Sequence, residues 1–279
     1  MKRSYEQLTG LPETVFRDGK RYVVTVCPAD MNQARVDAVT ARFRENILPG
    51  GSLCAPEYAK SGGVWRCTDR SPASLLDGYD ARIFPLLPPM HRQRIALGMI
   101  HSLYTLHRAG LCHGSLGPES FRVTVAQDGS FRVFLTGFSC AGPAGSRISR
   151  YMPGFNAPET GISEKTDVYA LGATLYFLLC GRIHARGSEQ QLLVPDCVPE
   201  FYRPLLSAML CLKPERRPSM QQVVSWAKSG SVPDTEKYLL VRLGRIPKEE
   251  AGELIVSFRK NQPAFKENMR GKTDYWDRW

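Results

Sequence analysis

The sequence predicts an α+β fold, in which strands occupy the first part of the chain and helices the rest. Residues Thr14 to Val26 (TVFRDGKRYVVTV) are typical of a hairpin, with Asp18-Gly19 as the turn and β-branched residues in the second strand. Residues His91 to Arg108 and Thr166 to Leu179 instead show long helical patterns rich in apolar residues. The 279 residues suffice for two small lobes or one large domain.

The residues after the hairpin predict one helix and further strands. Met31 to Leu48 has apolar residues close to helical spacing, and Pro49-Gly50-Gly51 ends that pattern. Gly62-Gly63 indicates a turn between two strands, and Tyr79 to Leu86 indicates a third strand. A stiff connection, which we interpret as the hinge between two lobes, is indicated by Pro85, Pro88 and Pro89.

Four helices are predicted from His91 onwards. Thr166 to Leu179 is apolar enough to be buried on most faces, and Glu200 to Leu212 and Pro218 to Ala227 follow as shorter helices. The helix His91 to Arg108 has a stripe of residues that we expect to be buried, namely Ile95, Met99, Ser102, Leu103 and Leu106.

These elements divide the chain into an N-terminal lobe (residues 1–87), a C-terminal lobe (88–228) and an extension (229–279). In the extension, Pro247 to Lys260 predicts an amphipathic helix with proline in its first turn. We expect the extension to pack back on the large lobe, and a tail that binds a partner is the alternative.

The eight cysteines contain no CxxC pair, so a zinc site has little support. Cys54 and Cys67 flank the second predicted hairpin and could form a disulfide if the cross-strand geometry suits a bridge. Buried free thiols are the alternative. An even number of cysteines with short-range pairs favours an oxidising compartment.

The net charge of +10 is spread along the chain rather than concentrated in runs. A solvated basic surface is the simplest interpretation, and an acidic partner or an anionic membrane surface is the alternative. No interleaved basic and aromatic motif favours nucleic acid. No stretch approaches the ~18 apolar residues of a membrane helix. Residues 1–16 lack the apolar core of a secretory signal, which indicates the cytosol unless a signal has already been removed.

Four short motifs, in this order along the chain, carry a resemblance to a known family. They are His113-x-x-Leu116-x-Pro118-Glu119, Ala157-Pro158-Glu159, Asp167-Val168-Tyr169-x-Leu171-Gly172 and Pro214-Glu215-Arg216-Arg217-Pro218. In order and spacing they resemble the catalytic-loop, APE, central-helix and late-helix motifs of eukaryotic protein kinases. The resemblance covers about residues 22–227. It implies a two-lobed fold, with a reduced β-rich small lobe that lacks a Gly-rich loop and a mainly helical large lobe.

The resemblance assigns structural roles to four retained residues. It implies that Asp167 holds the backbone of the catalytic loop, that His113 is a structural histidine of that loop, and that Arg217 pairs with Glu159. A buried Glu–Arg pair is costly to break, because removing one partner leaves the other charge unpaired. We therefore expect the scaffold to be kept.

The positions that would carry kinase chemistry are occupied by other residue types. Phosphoryl transfer needs a carboxylate base, and Mg²⁺ prefers carboxylate and phosphate oxygens. The positions of the ATP lysine, the base, the second lysine, the magnesium-binding asparagine and the DFG aspartate hold Thr25, Ser115, Gly117, Ser120 and Gly137. No G-x-G-x-x-G precedes Thr25. We expect no phosphoryl transfer, no normal Mg-ATP binding and no cofactor.

A narrower resemblance concerns the strand Val133 to Phe138 and the pair Cys180 and Cys197. Both are similar to features of the secreted rhoptry-type pseudokinases of apicomplexan parasites. The small lobe, which lacks a glycine-rich loop, resembles the with-no-Gly-loop subgroup. This implies a Cys180–Cys197 disulfide and secretion into a parasite vacuole or cyst wall. We expect a monomeric binding, scaffold or structural protein with an unidentified protein partner. The alternative is a divergent enzyme that transfers a nucleotide-derived group through unrecognised residues.

Overall fold

The computed structural model describes residues 13–46, 51–71, 87, 89–125, 131–146, 154–184, 198 and 202–229. Strands predominate in the described residues from 13 to 71, which we call the sheet region, and helices in those from 87 to 229, the helical region. This mixture fits the predicted α+β class. Among the described residues, no helix is long and apolar enough to cross a membrane.

The sheet region contains one helix and a four-stranded sheet in the order β1-β2-β4-β3, with neighbouring strands antiparallel. Asp18 and Gly19 both have positive φ, as the tight turn of a β1–β2 hairpin requires. Both predicted hairpins are thus confirmed. The elements are β1 (Glu13–Arg17), β2 (Lys20–Val26), α1 (Gln33–Asn46), β3 (Pro56–Ser61) and β4 (Val64–Arg70).

Helix α1 confirms the predicted helix, and its buried face includes an arginine. The side chains of Val36, Val39 and Phe43 are buried, as expected for an amphipathic helix. Ala34 is exposed, and the neighbouring Arg35 is buried in its place. The reason is tertiary, because Arg35 has hydrogen-bond acceptors in the helical region.

The described part of the helical region contains four α-helices, three short 3₁₀ segments and a two-stranded antiparallel sheet. The predicted buried stripe of its first helix is confirmed, with all five residues at most 1% exposed. This helix lies against the sheet, and a Cβ on Gly98 would approach Val133 Cγ2 to 2.6 Å. The elements are α2 (Pro89–Arg108), β5 (Phe121–Val125), β6 (Phe131–Leu135), α3 (Glu164–Cys180), α4 (Arg203–Met209) and α5 (Met220–Ser229).

Helix α3 is buried on nearly every face, as its apolar sequence predicts. Its first turn is capped reciprocally, since the Thr166 N–H donates to Ser163 Oγ at 3.2 Å and the Ser163 N–H donates to Thr166 Oγ1 at 2.9 Å. Helix α4 is shorter than the predicted Glu200 to Leu212. Proline is tolerated in a first helical turn and not further inside, so Pro204 places the start of α4 at Arg203.

The two regions are joined through the loop that precedes β3. Leu53 forms an isolated parallel bridge with Leu135 at the end of β6. The Leu135 N–H donates to Ser52 O at 2.8 Å, and the Cys54 N–H donates to Leu135 O at 3.0 Å. The end of β6, two residues before Gly137, is therefore fixed directly to the sheet region.

The predicted Cys54–Cys67 disulfide is wrong. The β3–β4 register places Tyr58, not Cys54, opposite Cys67. Both thiols are free, and Cys67 donates to Asp69 Oδ2 at 3.5 Å. The reason is that Cys54 lies before β3 begins, where its backbone bonds to β6.

Other predictions lie outside the described residues. They are the strand Tyr79 to Leu86 with its hinge prolines Pro85 and Pro88, the extension beyond residue 229, and Cys197 with its predicted bridge to Cys180. These stay predictions.

Candidate functional site

The candidate site lies where the loop between α2 and β5 meets the residues that follow β6. Thr136, just after β6, donates its N–H to Ser120 O at 2.8 Å. A Cβ built on Gly137 would lie 3.8 Å from both His113 Nε2 and Ser120 Oγ. The fold thus brings Gly137 next to His113 and Ser120 of the loop. The backbone of Gly137 is left-handed, with φ of +83°, a conformation that glycine adopts without steric cost.

His113 is completely buried, and its ring nitrogens both have backbone partners. Nε2 lies 2.9 Å from the carbonyl oxygen of Thr136, so this nitrogen carries the proton and donates. Nδ1 accepts from the N–H of Ser115 at 3.3 Å. A ring held in this tautomer has no nitrogen open to take a proton from a substrate, which matches a structural histidine.

Ser115 and Ser120 lie at the positions to which the kinase resemblance assigns the base and the magnesium-binding asparagine. Both are buried. Ser120 Oγ accepts from the N–H of Gly117 at 3.2 Å and lies 3.5 Å from Ser115 O, to which it donates. Of the residues in 113–120 and 136–140, only Glu119 carries a carboxylate. These segments therefore offer hydroxyls and backbone groups where a kinase needs acidic side chains.

Asp167, in the first turn of α3, lies beneath the loop and holds its backbone. Its carboxylate accepts from the N–H groups of His113 at 2.7 Å and Gly114 at 3.0 Å, and from His107 Nε2 at 2.9 Å. Burial raises the pKa of this carboxyl, but the hydrogen bond and charge of His107, together with the other donors, lower the pKa below its usual value. Asp167 is ionised and fully used in bracing the loop.

Arg217 and Glu159 form the second predicted contact. Both terminal nitrogens of the completely buried Arg217 donate to the Glu159 carboxylate, with Nη2 to Oε2 at 2.9 Å. The guanidinium also lies 4.9 Å from the ring centroid of Tyr169. It donates further to three backbone carbonyl oxygens, those of Cys211, Leu212 and Lys165.

Sequence reasoning missed Arg35, which attaches α1 to the residues after Gly137. Its Nε donates to Ala141 O at 3.0 Å, and its Nη2 donates to Cys140 O. Asp30 pairs with its Nη1 at 3.1 Å. In the small lobe of a kinase, which this part of the chain resembles, a strand like β2 holds the ATP lysine and the helix that follows holds its partner glutamate. The buried face of α1 carries an arginine instead, bonded to backbone carbonyls. The only feature of the sequence that could have indicated a buried arginine here is the nearby acid Asp30.

A column of aromatic rings also links α1 to the loop. Phe138, completely buried, has its ring centroid 5.0 Å from that of Phe43 on α1 and 5.4 Å from that of His113. Tyr58 on β3 donates its hydroxyl to Phe138 O at 2.7 Å. The aromatic residue after Gly137 is thus packed between both regions.

Thr25 and Asp69 lie on the face of the sheet that points towards this column. Thr25 is 3% exposed and is paired with Cys67 across β2 and β4. Asp69, two residues further along β4, is 1% exposed. Burial raises the pKa of Asp69 to about 7, against the lowering effect of the Cys67 hydrogen bond and of the backbone amides of Phe138 and Gly137. The sequence had not singled out Asp69.

One cluster in the described part of the chain has the composition of a metal site. The ligating atoms of His107, Cys112 and Asp167 lie within 4.8 Å of one another. However, Asp167 already accepts three hydrogen bonds, and burial raises the pKa of the Cys112 thiol far above its usual value. A thiol must lose its proton to bind a metal, so these residues do not fit one.

The fold and the site together define a protein-kinase-like class, and comparisons with known proteins agree. No protein-family model matches the chain. It is 30% identical over 188 residues to the serine/threonine-protein kinase DCLK1 of Rattus norvegicus, which covers 57% of this chain and 43% of the relative. It is 27% identical over 142 residues to Aurora kinase of Schizosaccharomyces pombe, a match that covers 45% of this chain and 39% of the relative. It is 25% identical over 152 residues to sperm motility kinase 2B of Mus musculus, a match that covers 48% of this chain and 31% of the relative. The chain spans less than half the length of these relatives. This distant homology supports a kinase-like fold.

Proposed function

We propose that this chain is a pseudokinase, a kinase-like protein that acts by binding a protein partner and does not transfer phosphoryl groups. One observation carries the proposal. Where the loop meets the residues after β6, Ser115, Ser120 and Gly137 are adjacent, and both nitrogens of His113 are bonded to backbone. A hydroxyl is a poor base near neutral pH without help, and neither serine nor glycine gives Mg²⁺ a carboxylate.

The sheet side supports the same proposal. An ATP-binding lysine would carry charge into the cleft, whereas Thr25 is uncharged and buried. Arg35, the buried cation of α1, is engaged by Asp30 and by the carbonyl oxygens of Cys140 and Ala141. These contacts fix the position of α1 without a nucleotide. We infer that the sheet and helical regions are the small and large lobes, held in one arrangement that a partner binds as a preformed surface.

A thermal-shift titration with ATP and Mg²⁺ or Mn²⁺ tests the loss of nucleotide binding. A ligand at 100 times its Kd adds about 2.7 kcal/mol to the free energy of unfolding of any protein that binds it only when native. We expect no change in Tm up to millimolar ATP with either metal. A metal-dependent rise would overturn the proposal and favour the alternative, a divergent nucleotide-dependent transferase. Incubation with labelled ATP would then show whether a group is transferred.

Secretion into a parasite vacuole or cyst wall is also part of this proposal, and it rests on the rhoptry-type resemblance. The free thiols of Cys54 and Cys67 remove one argument for an oxidising compartment. Peptide mapping of the native protein without reductant tests the remaining argument, the predicted Cys180–Cys197 disulfide. A Cys180–Cys197 bridge is the expected result, and alkylation of both thiols would contradict secretion.

A further inference from the structure

Asp69 is a buried acid at the contact between the two regions that the proposed function does not use. It lies on β4, and its side chain faces the backbone amides of Gly137 and Phe138, which act on its carboxylate. Oδ2 accepts from the Cys67 thiol at 3.5 Å. Oδ1 is buried and has no hydrogen-bond partner among the residues that the structure describes. A carboxylate with so few partners is costly to ionise away from water.

The other titratable groups around Asp69 are held neutral. Burial raises the pKa of Cys27, after β2, and of Cys54, before β3, to about 12. Burial likewise raises the pKa of Cys67 on β4 and of Tyr58 on β3 well above their usual values. Between pH 5 and pH 8 these four groups keep their protons, so they do not change charge when Asp69 does.

Nearby arginines lower the pKa of two thiols that neighbour Asp69. Arg35 from α1 lowers the pKa of Cys27, and Arg70 on β4 and Arg122 on β5 lower the pKa of Cys54. Among the described residues, the pKa of Asp69 is set by its burial, by the Cys67 thiol and by the backbone amides of Phe138 and Gly137. His113 lies beside Gly137, with both of its ring nitrogens hydrogen-bonded to backbone groups.

We propose that Asp69 makes the contact between β4 and the Gly137–Phe138 backbone pH-sensitive, so that it is closed in mildly acidic solution and loosened in mildly alkaline solution. When the carboxyl is protonated, the contact buries a neutral group. When it is ionised, the contact buries a negatively charged carboxylate whose Oδ1 atom has no hydrogen-bond partner among the described residues. The bonds from Tyr58 to Phe138 and from Arg35 to Ala141 do not depend on this proton, so the loosening is local.

The sign follows from linkage. The pKa of Asp69 is about 7 in the folded chain and about 3.9 in an unfolded one, so the native state binds the proton more tightly. The contribution of Asp69 to stability is therefore greatest at low pH. Between roughly pH 4 and pH 7 this contribution decreases, and the folding equilibrium constant falls about tenfold for each unit rise in pH. Above about pH 7 the contribution is constant.

Hydrogen exchange of the amides at residues 136–140 and urea unfolding, both from pH 5 to pH 8, test the proposal. After correction for intrinsic exchange rates, we expect protection in the wild type to fall as the pH rises to 7. Asp69→Asn, which cannot ionise, should lose this dependence. Asp37→Asn changes an exposed acid on α1 and should keep the wild-type profile. The difference between the wild-type and Asp69→Asn profiles isolates the contribution of Asp69.

If Asp69→Asn does not fold, Cys67→Ala decides the question. The Cys67 hydrogen bond lowers the pKa of Asp69, so its loss should move the midpoint of the pH profile upwards. The Asp69 carboxyl carbon, followed by NMR, should titrate near pH 7 in the wild type. A flat wild-type profile, a profile unchanged by Asp69→Asn, or titration of Asp69 below pH 5 would overturn the proposal.

Discussion

Charge is distributed very differently in two neighbouring parts of this molecule. Beneath the loop, Asp167 and the Arg217–Glu159 pair are buried, charged and bonded to backbone or to each other. In the loop and after β6, by contrast, Ser115 and Gly137 are uncharged, at positions where the resemblance to kinases places acids. The two groups of residues are connected through the backbone of His113 and Gly114, which Asp167 holds.

The difference teaches which charges a fold can keep without a ligand. A buried charge is tolerated when the protein itself supplies its hydrogen bonds. Asp167 and Arg217 satisfy that condition with backbone partners. A magnesium-binding acid would instead need the metal and the nucleotide. A chain can therefore keep the architecture of the site while losing the groups that act in it, and mutations should distinguish the two sets by their cost in stability.

The largest effect is expected for Arg217→Ala. The change removes the guanidinium from a completely buried position and leaves Glu159 and three carbonyl oxygens without their donor. We expect a loss of about 3–5 kcal/mol in the free energy of unfolding, measured by urea denaturation. Arg216→Ala is the matched control, because the side chain of Arg216 is partly exposed, and should change stability by less than ~0.5 kcal/mol. Equal losses for the two would contradict the role given to Arg217.

Asp167→Asn should cost about 3 kcal/mol, since an amide replaces an ionised acceptor of three hydrogen bonds. The pKa of Asp167 is lower in the folded chain, so its contribution is present above about pH 4 and is lost as the pH falls through the folded pKa. The acid limb of the pH–stability profile should therefore be shallower in the variant. Glu164→Gln, an exposed acid in the same helical turn, should leave that limb unchanged. A parallel acid limb in Asp167→Asn would contradict the assignment.

Arg35→Ala tests the contact between α1 and the residues after Gly137. Losing the hydrogen bonds to Cys140 and Ala141 should cost about 2 kcal/mol and should increase hydrogen exchange in α1 and at residues 138–142. The exposed Arg44, in the last turn of the same helix, gives the control Arg44→Ala. Unchanged exchange in Arg35→Ala would show that the aromatic column of Phe43 and Phe138 holds α1 by itself.

Most of the fold could be predicted because its elements are encoded locally. Asp18-Gly19 and Gly62-Gly63 define hairpins through the backbone conformations that their residues allow. The apolar stripe of α2 and the continuous apolarity of α3 follow from which faces are buried. The contacts of Asp167 and Arg217 could be anticipated from motif spacing, because a family resemblance carries tertiary information that periodicity does not.

What could not be predicted depends on tertiary geometry. Arg35 bonds to residues 105 and 106 positions away, and no local pattern indicates such a contact. Asp69 is buried because β4 lies in the middle of its sheet, next to the residues after β6. The Cys54–Cys67 prediction failed for the same reason, since register depends on where β3 begins. Spacing alone cannot fix that residue.

The smallest expected difference is between two serines of the loop, and it bears most directly on the proposed absence of phosphoryl transfer. Ser120→Ala removes the acceptor of the Gly117 N–H and a donor to Ser115 O, and should cost about 1 kcal/mol. The hydrogen bonds of Ser115 in the structure are made by its backbone, so Ser115→Ala should change the free energy of unfolding by less than ~0.5 kcal/mol.

Urea denaturation of the two variants, together with binding of any captured partner, measures this difference. If the Ser115 hydroxyl contributes to neither stability nor binding, partner binding should also be unchanged in Ser115→Ala. If Ser115→Ala costs as much stability as Ser120→Ala, the position has gained a structural role that the geometry does not indicate. If it weakens partner binding while leaving stability intact, the former position of the base has become part of a binding surface.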